Sequence, residues 1–176
     1  MLSKMKSRHA GKKIFLISMM LIALSQFLSC NRENCSEKIN PLVDKYLKAW
    51  NTGNLSLLKN VVDSTFELRK LPDFKPMRGI KSLEDYIIRS RTVVPDFFLN
   101  EIEKHFVSDT AVIVTWVFKG TFKGESDLPP TGSKIEIPGF SIIYFNENKL
   151  TGEWIAFSDL TWVKQLGFNI LPPLSK

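Results

Sequence analysis

The sequence is poor in the residues that build disulfide frameworks and metal centres. Its 176 residues include two cysteines, Cys30 and Cys35, and two histidines, His9 and His105. It also contains no glycine-rich phosphate loop, no nucleophile elbow and no paired Cys–His arrangement. These absences argue against a metal site and against nucleophilic catalysis, and no cofactor is expected.

Acidic residues are absent from the first 29 positions, which hold five basic ones. The whole chain has a net charge of +6, but without this segment 19 basic residues face 18 acidic ones, a net charge of +1. The remainder is therefore nearly neutral, and binding to nucleic acid is not expected. The basic residues concerned are Lys4, Lys6, Arg8, Lys12 and Lys13.

An uncharged apolar segment of about 15 residues, 14–28, follows this basic region and is typical of a secretory signal. The next residues, Phe27-Leu28-Ser29-Cys30, resemble the lipobox of bacterial lipoproteins, although Phe27 stands where leucine is usual. The resemblance implies that Cys30 is acylated and anchors the domain to a membrane of the cell envelope, outside the cytoplasm. The alternatives are an uncleaved anchor helix and a plain signal with a chance cysteine.

The resulting organisation is a signal peptide over residues 1–29, a polar tether over 30–36, one domain over 37–168 and a tail over 169–176. Cys35 belongs to the tether. A Cys30–Cys35 disulfide is the alternative in a chain that is not lipidated.

Two short helices are predicted at the start of the domain. Apolar residues three or four apart indicate the first from Glu37 to Trp50, before the stop signal Asn51-Thr52-Gly53. Asn54 can cap the second, which carries Leu55 to Val62.

A brief strand over Thr65 to Arg69 and an irregular, proline-interrupted loop, KLPDFKPMRG, are predicted next. Ser82 and Asp85 then indicate the start of a third helix that runs to about Ser90.

The rest of the chain predicts strands. FFLNEIEKHFV, DTAVIVTWVFKGTF, KIEIPGFSIIYF and KLTGEWIAFS are rich in β-branched and aromatic residues and are separated by turn residues. Three or four antiparallel strands after three helices predict an α+β domain.

Four pieces of the chain, all within residues 42–168, resemble the SnoaL-like polyketide and ester cyclases of the nuclear-transport-factor-two-like superfamily. The resemblance implies a curved antiparallel sheet wrapped by three N-terminal helices, cone-shaped, with a concave apolar pocket that could hold a small molecule. The four pieces are AWNTGNLSLLKNVVD, VVPDFFLNEIEKHFVSDTAVIVTWVFKGTFKGE, PPTGSKIEIPGFSIIYF and KLTGEWIAFSDLTWVKQLGF.

In these cyclases a carboxylate on the last strand is thought to act as general base, which makes Asp159 the candidate. Counting forward from Trp154 and back from Gln165, however, reaches Ser158 instead. Because neighbouring residues of a strand face opposite ways, Asp159 is expected in the pocket only if a β-bulge turns it inward. Otherwise Asp159 or Ser158 caps a short helix that ends at Gly167, or Asp159 lies on the surface.

A second departure concerns the family's Gly-Thr-His, which is Gly120-Thr121-Phe122 here. Intact cyclase chemistry is therefore not expected, and His105, on an early strand, is interpreted as exposed or structural. Apolar and aromatic residues of the strands, with Ser158, are the candidates for lining the pocket, unless they are simple core residues: Trp116, Phe118, Phe122, Phe140, Ile142, Tyr144, Trp154 and Ser158.

Three functions fit these observations. The first is a lipid-anchored domain that binds a small apolar molecule without cyclase chemistry. The second is an active cyclase or isomerase that uses Asp159 as base. The third is an envelope interaction module that forms a homodimer through its sheet.

Overall fold

A computed structural model of the chain describes residues 36–146, 148–169 and 171, without the side chain of Phe74. The chain divides into two compact units, Met1–Glu37 and Lys38–Lys176, and the fold below is that of the second. The expected signal and both cysteines, Cys35 and the expected lipid-attachment residue Cys30, lie outside the described residues. Within those residues, no helix is both long and apolar enough to cross a membrane.

The first helix, α1, covers residues 36–52 and agrees with the predicted helix. Its apolar stripe is buried against the sheet, and the helix ends at Gly53, whose φ of 71° is a left-handed conformation that favours glycine. The Gly53 amide donates to the Ala49 carbonyl at 2.8 Å and so closes the last turn. The buried residues of the stripe are Ile39, Val43, Tyr46, Leu47 and Trp50.

The prediction of a second helix is wrong. Only a single 3-10 turn, Leu55–Leu58, forms there, with the Asn54 side chain accepting from the Ser56 amide at 3.2 Å. The apolar residues that follow, Val61 and Val62, are buried as the chain enters a strand instead. A cap followed by five apolar residues indicates that a helical turn begins, but it does not predict how many turns follow.

The predicted irregular loop is also wrong, because most of it is a strand. Strand β1, Val62–Lys70, pairs with β2, Asp73–Arg78, in an antiparallel hairpin. Pro76 can lie in β2 because β2 is an edge strand, where a missing amide hydrogen breaks no bond to a further strand. The predicted third helix is present as α2, Gly79–Val93, and starts three residues earlier than Ser82.

Four more strands complete one curved sheet of six, in the order β2-β1-β6-β5-β4-β3. They are β3, Phe98–Ser108; β4, Ala111–Thr121; β5, Lys134–Phe145; and β6, Leu150–Phe157.

The sheet is mixed rather than purely antiparallel, because β6 runs parallel to β1 and antiparallel to β5. A further helix, α3, Asp159–Gln165, follows the sheet. This is the short helix that the cap at Ser158 or Asp159 and the stop at Gly167 predicted. Of the three N-terminal helices predicted, only α1 and α2 are α-helices, and the α+β class is correct.

The inner face of the sheet and the helices enclose the core. On β4 the inward residues are Val112, Val114, Trp116 and Phe118, and on β5 the odd-numbered residues Ile135, Ile137, Ser141 and Ile143 are buried. Leu83 and Ile87 are the buried residues of α2. Burial of this alternating set fixes which side of each strand faces the helices.

Candidate functional site

A cavity of about 280 Å³ lies between the inner face of the sheet, α2 and α3. Much of its wall is aromatic, and the rings contact one another: the Phe118 ring stacks on Trp162 at 5.8 Å between centroids, and Phe97 lies 4.7 Å from Phe118. These packed rings give the cavity a defined, apolar shape. The aromatic wall is formed by Trp50, Phe97, Trp116, Phe118, Phe122, Phe157 and Trp162.

Three of the predicted lining residues are in this wall. Trp116, Phe118 and Phe122 all line the cavity and are almost completely buried. Phe122, which replaces the family's histidine, packs edge-on against Trp162 at 6.1 Å between ring centroids. Phe122 therefore places an apolar ring where the family's histidine could donate or accept a proton.

Four other predicted lining residues face the opposite side of the sheet. Phe140 and Tyr144 are 41% and 38% exposed, and Trp154 lies under the guanidinium of Arg69 at 5.6 Å. Ile142 is the strand partner of Trp154 and shares that face. The face was assigned wrongly because both faces of β5 are apolar, so alternation alone does not identify the inward one.

Ser158 does not line the cavity and instead caps α3. Its Oγ accepts a hydrogen bond from the Thr161 amide at 3.1 Å, and the side chain is exposed. The cap that the sequence assigned to Ser158 or Asp159 is therefore provided by Ser158.

Asp159, the first residue of α3, lines the cavity at its mouth. Its Oδ1 lies 2.9 Å from Lys70 Nζ, with the two side chains 43% and 31% exposed. The pairing of β5 with β6 is regular from Gly139 and Phe157 back to Tyr144, so no bulge precedes Asp159. The expected need for a bulge is wrong, because the cavity lies on the Phe157 side of β6, which Asp159 shares.

His105 takes no part in this site. It is exposed on β3, and its Nε2 lies 2.8 Å from Glu103 Oε2. Among the described residues, no group of His, Cys, Asp and Glu side chains could hold a metal ion.

Sequence reasoning missed the most unusual residue of the cavity, Glu153 on β6. It is 3% exposed, lines the cavity, and makes no ion pair with any described residue. Its carboxyl accepts a hydrogen bond from the hydroxyl of Tyr46 on α1 and another from Ser141 on β5. Ser141 Oγ in turn accepts from Trp116 Nε1 at 3.0 Å.

Burial raises the pKa of Glu153 to about 7, although the hydrogen bonds from Ser141 and Tyr46 oppose the rise. A substantial fraction of this carboxyl is therefore protonated at neutral pH. The signal was present in the sequence: Glu153 shares one side of β6 with Ile155 and Phe157, and an acid on an apolar strand face is unusual.

Tyr86 on α2 contributes a second polar group to the cavity. Its ring meets Trp50 edge-on at 5.7 Å, and no hydrogen bond to its hydroxyl is found among the described residues. Burial, with a smaller contribution from nearby Glu153, raises the pKa of Tyr86 to about 12. The hydroxyl therefore keeps its proton and is a hydrogen-bond donor inside the cavity.

Comparison with known proteins agrees with this architecture. Residues 40–166 match the family model of the SnoaL-like polyketide cyclases. No functionally curated protein is recognisably similar in sequence.

Solved structures share the fold at low sequence identity. A SnoaL-like polyketide cyclase from Agrobacterium tumefaciens is 20% identical, with a TM-score of 0.62 over 74% of this chain and 98% of that one. TsrD from Streptomyces laurentii is 20% identical, with a TM-score of 0.66 over 74% and 96%. IdmH from Streptomyces antibioticus is 18% identical, with a TM-score of 0.65 over 74% and 99%. Since the family model covers most of the chain, the protein belongs to the SnoaL-like polyketide cyclase family.

Proposed function

We propose that the domain binds a small, mainly apolar molecule in the aromatic cavity. The observation that supports this is the cavity itself: a concave space of about 280 Å³ with an aromatic wall and only a few polar groups. Sites of this composition are typical of small-molecule binding. Phe122 supports binding without the family's usual chemistry, since its ring replaces the histidine of the Gly-Thr-His motif.

The fluorescent probe 1-aminoanthracene, whose emission rises in apolar surroundings, tests this proposal. We expect saturable binding to the domain over residues 36–176. Val93→Trp, which fills the cavity from α2, should weaken binding at least about tenfold by steric exclusion. The matched control is Ile88→Trp on the same helix, where the side chain is 50% exposed and does not line the cavity. Equal affinity of the two variants would show that the probe binds elsewhere.

A second candidate function is proton transfer by Asp159, as in a cyclase or isomerase. It is favoured by one observation, the position of the Asp159 carboxylate at the cavity mouth without any bulge. Asp159→Asn should then abolish turnover of any substrate found while leaving its binding nearly unchanged. Full activity of Asp159→Asn would exclude this residue as the base.

We also propose that the domain is held at the cell envelope through acylated Cys30. The support is the sequence alone: a basic region, an apolar segment and the lipobox-like Phe27-Leu28-Ser29-Cys30. Cys30→Ala should move the protein from the membrane fraction to the soluble fraction of bacterial cells, with loss of the acyl mass. Unchanged membrane retention and mass would contradict the anchor.

Association of two copies through the sheet stays a prediction. The exposed Phe140 and Tyr144 on its outer face support it, because large exposed apolar groups favour contact with another surface. Light scattering of the domain, compared with a Phe140→Glu variant, measures the oligomeric state directly.

A further inference from the structure

The loop between β4 and β5, residues 122–133, contributes to the cavity wall and is attached firmly at its first end. The Lys123 and Gly124 amides both donate to the Val93 carbonyl on α2, at 3.2 and 2.9 Å. A Cβ atom at Gly124 would lie 1.8 Å from the Thr92 carbonyl oxygen, so this close approach requires glycine. The first end of the loop is therefore fixed to the end of α2.

The second end of the loop returns to the first and closes it at a narrow neck. The Phe122 amide donates to the Ser133 carbonyl at 2.9 Å, and the Gly132 amide donates to the Phe122 carbonyl at 2.8 Å. Gly132 has a φ of 72°, a left-handed conformation that favours glycine. The two ends thus lie side by side, as in a compact surface loop of the Ω type.

Between these ends lies the lid segment, residues 125–131, whose hydrogen bonds are local. The Ser126 hydroxyl donates to the Leu128 carbonyl at 2.8 Å and accepts from the Leu128 amide at 3.1 Å. The Thr131 hydroxyl bonds to Ser133 Oγ at 2.9 Å. Among the described residues, none outside the loop makes a hydrogen bond or an ion pair with this segment. Such a segment can move away from the domain without breaking those interactions.

Leu128 is the side chain that holds the lid segment against the domain. Both Ser126 and Leu128 line the cavity, but Leu128 is half-buried, whereas the other residues of the segment are exposed. Closure of the segment therefore depends on the burial of one leucine. The next two residues, Pro129 and Pro130, have their φ angles fixed by their rings, so the segment is stiff and moves largely as a unit.

The lid segment lies at the mouth of the cavity. Lys70 and Asp159 line the cavity and remain partly exposed, and Ser126 is an exposed residue of the same lining. Deeper in the cavity, Trp116 and Phe118 are almost completely buried. A molecule that reaches the aromatic wall from solvent therefore passes beside the lid segment.

We propose that the lid segment is a gate, which swings away from the mouth about the fixed ends at Gly124 and Gly132 to admit or release a small apolar molecule, and which Leu128 holds closed. This inference rests on the proposed binding function and specifies how access to that site is controlled. The gate sets how fast the cavity fills and empties.

A gate has a kinetic signature that a wall residue does not have. If a molecule passes only while the gate is open, the association and dissociation rate constants are both proportional to the open fraction. Their ratio, the dissociation constant, then stays the same when the open fraction changes. Loss of a direct wall contact raises the dissociation rate constant alone and weakens binding by the same factor.

Stopped-flow fluorescence of 1-aminoanthracene with the domain over residues 36–176 measures both rate constants. In Leu128→Ser we expect both to rise by a similar factor of at least about three, because the contact that keeps the gate closed is lost. The dissociation constant should change by less than about twofold. The matched control is Leu160→Ser on α3, a leucine that is 53% exposed and does not line the cavity, and its rate constants should equal those of the native domain.

A second variant removes the gate by deleting residues 125–131 and joining Gly124 to Gly132. The junction is compatible with the neck, since the Gly132 amide and the Phe122 carbonyl already make the hydrogen bond that closes a β-turn over Lys123 and Gly124. Both rate constants should be at least as high in this variant as in Leu128→Ser, because the mouth is permanently open.

The outcomes separate the gate from the binding function. A rise in the dissociation rate constant alone in Leu128→Ser would identify Leu128 as a wall contact, so that the gate is wrong and the binding function stands. Native rate constants in the deletion variant, or loss of probe binding by a folded deletion variant, would also overturn the gate. If the native domain does not bind the probe, the gate and the proposed function both fail.

Discussion

The hydroxyl of Tyr46 on α1 donates a hydrogen bond to the carboxyl of Glu153 on β6, although the two residues are 107 positions apart in the sequence. Both side chains are buried. The bond joins the first helix to the last strand beside the cavity, which Glu153 lines. It thereby orients the Glu153 carboxyl, because the phenol holds one of its two oxygens.

Removing this donor should change the acidity of Glu153. In Tyr46→Phe we expect a further rise in the pKa of Glu153, since the Tyr46 hydrogen bond stabilises the ionised form. The free energy of unfolding should also fall by about 1–2 kcal/mol. Carbon-13 NMR of the labelled glutamate carboxyls measures the pKa. Tyr144→Phe, on the exposed outer face, is the control, and an unchanged pKa in Tyr46→Phe would contradict the prediction.

The raised pKa of Glu153 should appear in the pH dependence of stability. Between its ordinary value of 4.5 and about 7, the folded state holds a proton that the unfolded state has released. Stability should therefore be greatest below pH 4.5 as far as this group is concerned, decrease as the pH rises to about 7, and then level off. Over this pH range the free energy of unfolding should fall by on the order of 3 kcal/mol.

Glu153→Gln should abolish this dependence. Urea unfolding at pH 5 and pH 8 measures it, and we expect the variant to gain stability relative to the native protein as the pH rises. The control is Glu136→Gln, whose side chain is 66% exposed in the native protein. Parallel stability curves for Glu153→Gln and the native protein would show that the carboxyl is not protonated when buried.

Gly139 on β5 makes room for the Trp116 ring. A Cβ atom at Gly139 would overlap Trp116 Cη2 and would lie 2.8 Å from the Ala156 carbonyl oxygen. Gly139→Ala should therefore displace Trp116, weaken its bond to Ser141 and lower the free energy of unfolding by about 1–3 kcal/mol.

Gly152→Ala on β6 is the matched comparison, because the nearest atom to its Cβ is 3.1 Å away and less has to move. Chemical denaturation and the tryptophan fluorescence of both variants give the comparison. A Gly139→Ala protein as stable as Gly152→Ala would mean that the ring has free space around it.

Arg91 near the end of α2 donates hydrogen bonds to three backbone carbonyls outside its own helix. Its guanidinium donates to the carbonyls of Trp50, Asn51 and Phe97 at 3.1, 2.8 and 3.1 Å. Arg91→Met should lower the free energy of unfolding by about 2–3 kcal/mol, because charged hydrogen bonds to part-buried acceptors are lost. Arg89→Met, an exposed position on the same helix, should have a much smaller effect in the same thermal or urea unfolding experiment.

The sequence predicts local structure where one periodicity prevails. The stripe of α1 is apolar at every third or fourth position and polar elsewhere, so both the helix and its buried face follow from it. The same holds for the cap of α3, because Ser158 and Gly167 are strong local signals. Such features depend on neighbours within a few residues.

The inner face of the sheet could not be predicted from local sequence signals. Ile142 and Ile143 are equally apolar, and only the packing of the whole domain decides that Ile143 is buried. Glu153 was overlooked for a related reason: its burial depends on Tyr46 and Ser141, which lie on other elements. The parallel pairing of β1 with β6 joins the two ends of the domain and has no local signature.

That pairing sets the order in which the chain can complete its fold. Strand β6 lies between β1 and β5, so until residue 157 has emerged the hairpin of β1 and β2 has no neighbour in the sheet. A nascent chain that stops before β6 cannot join its first two strands to the other three, and it also lacks Glu153. Assembly of the sheet and of its cavity therefore awaits its last strand.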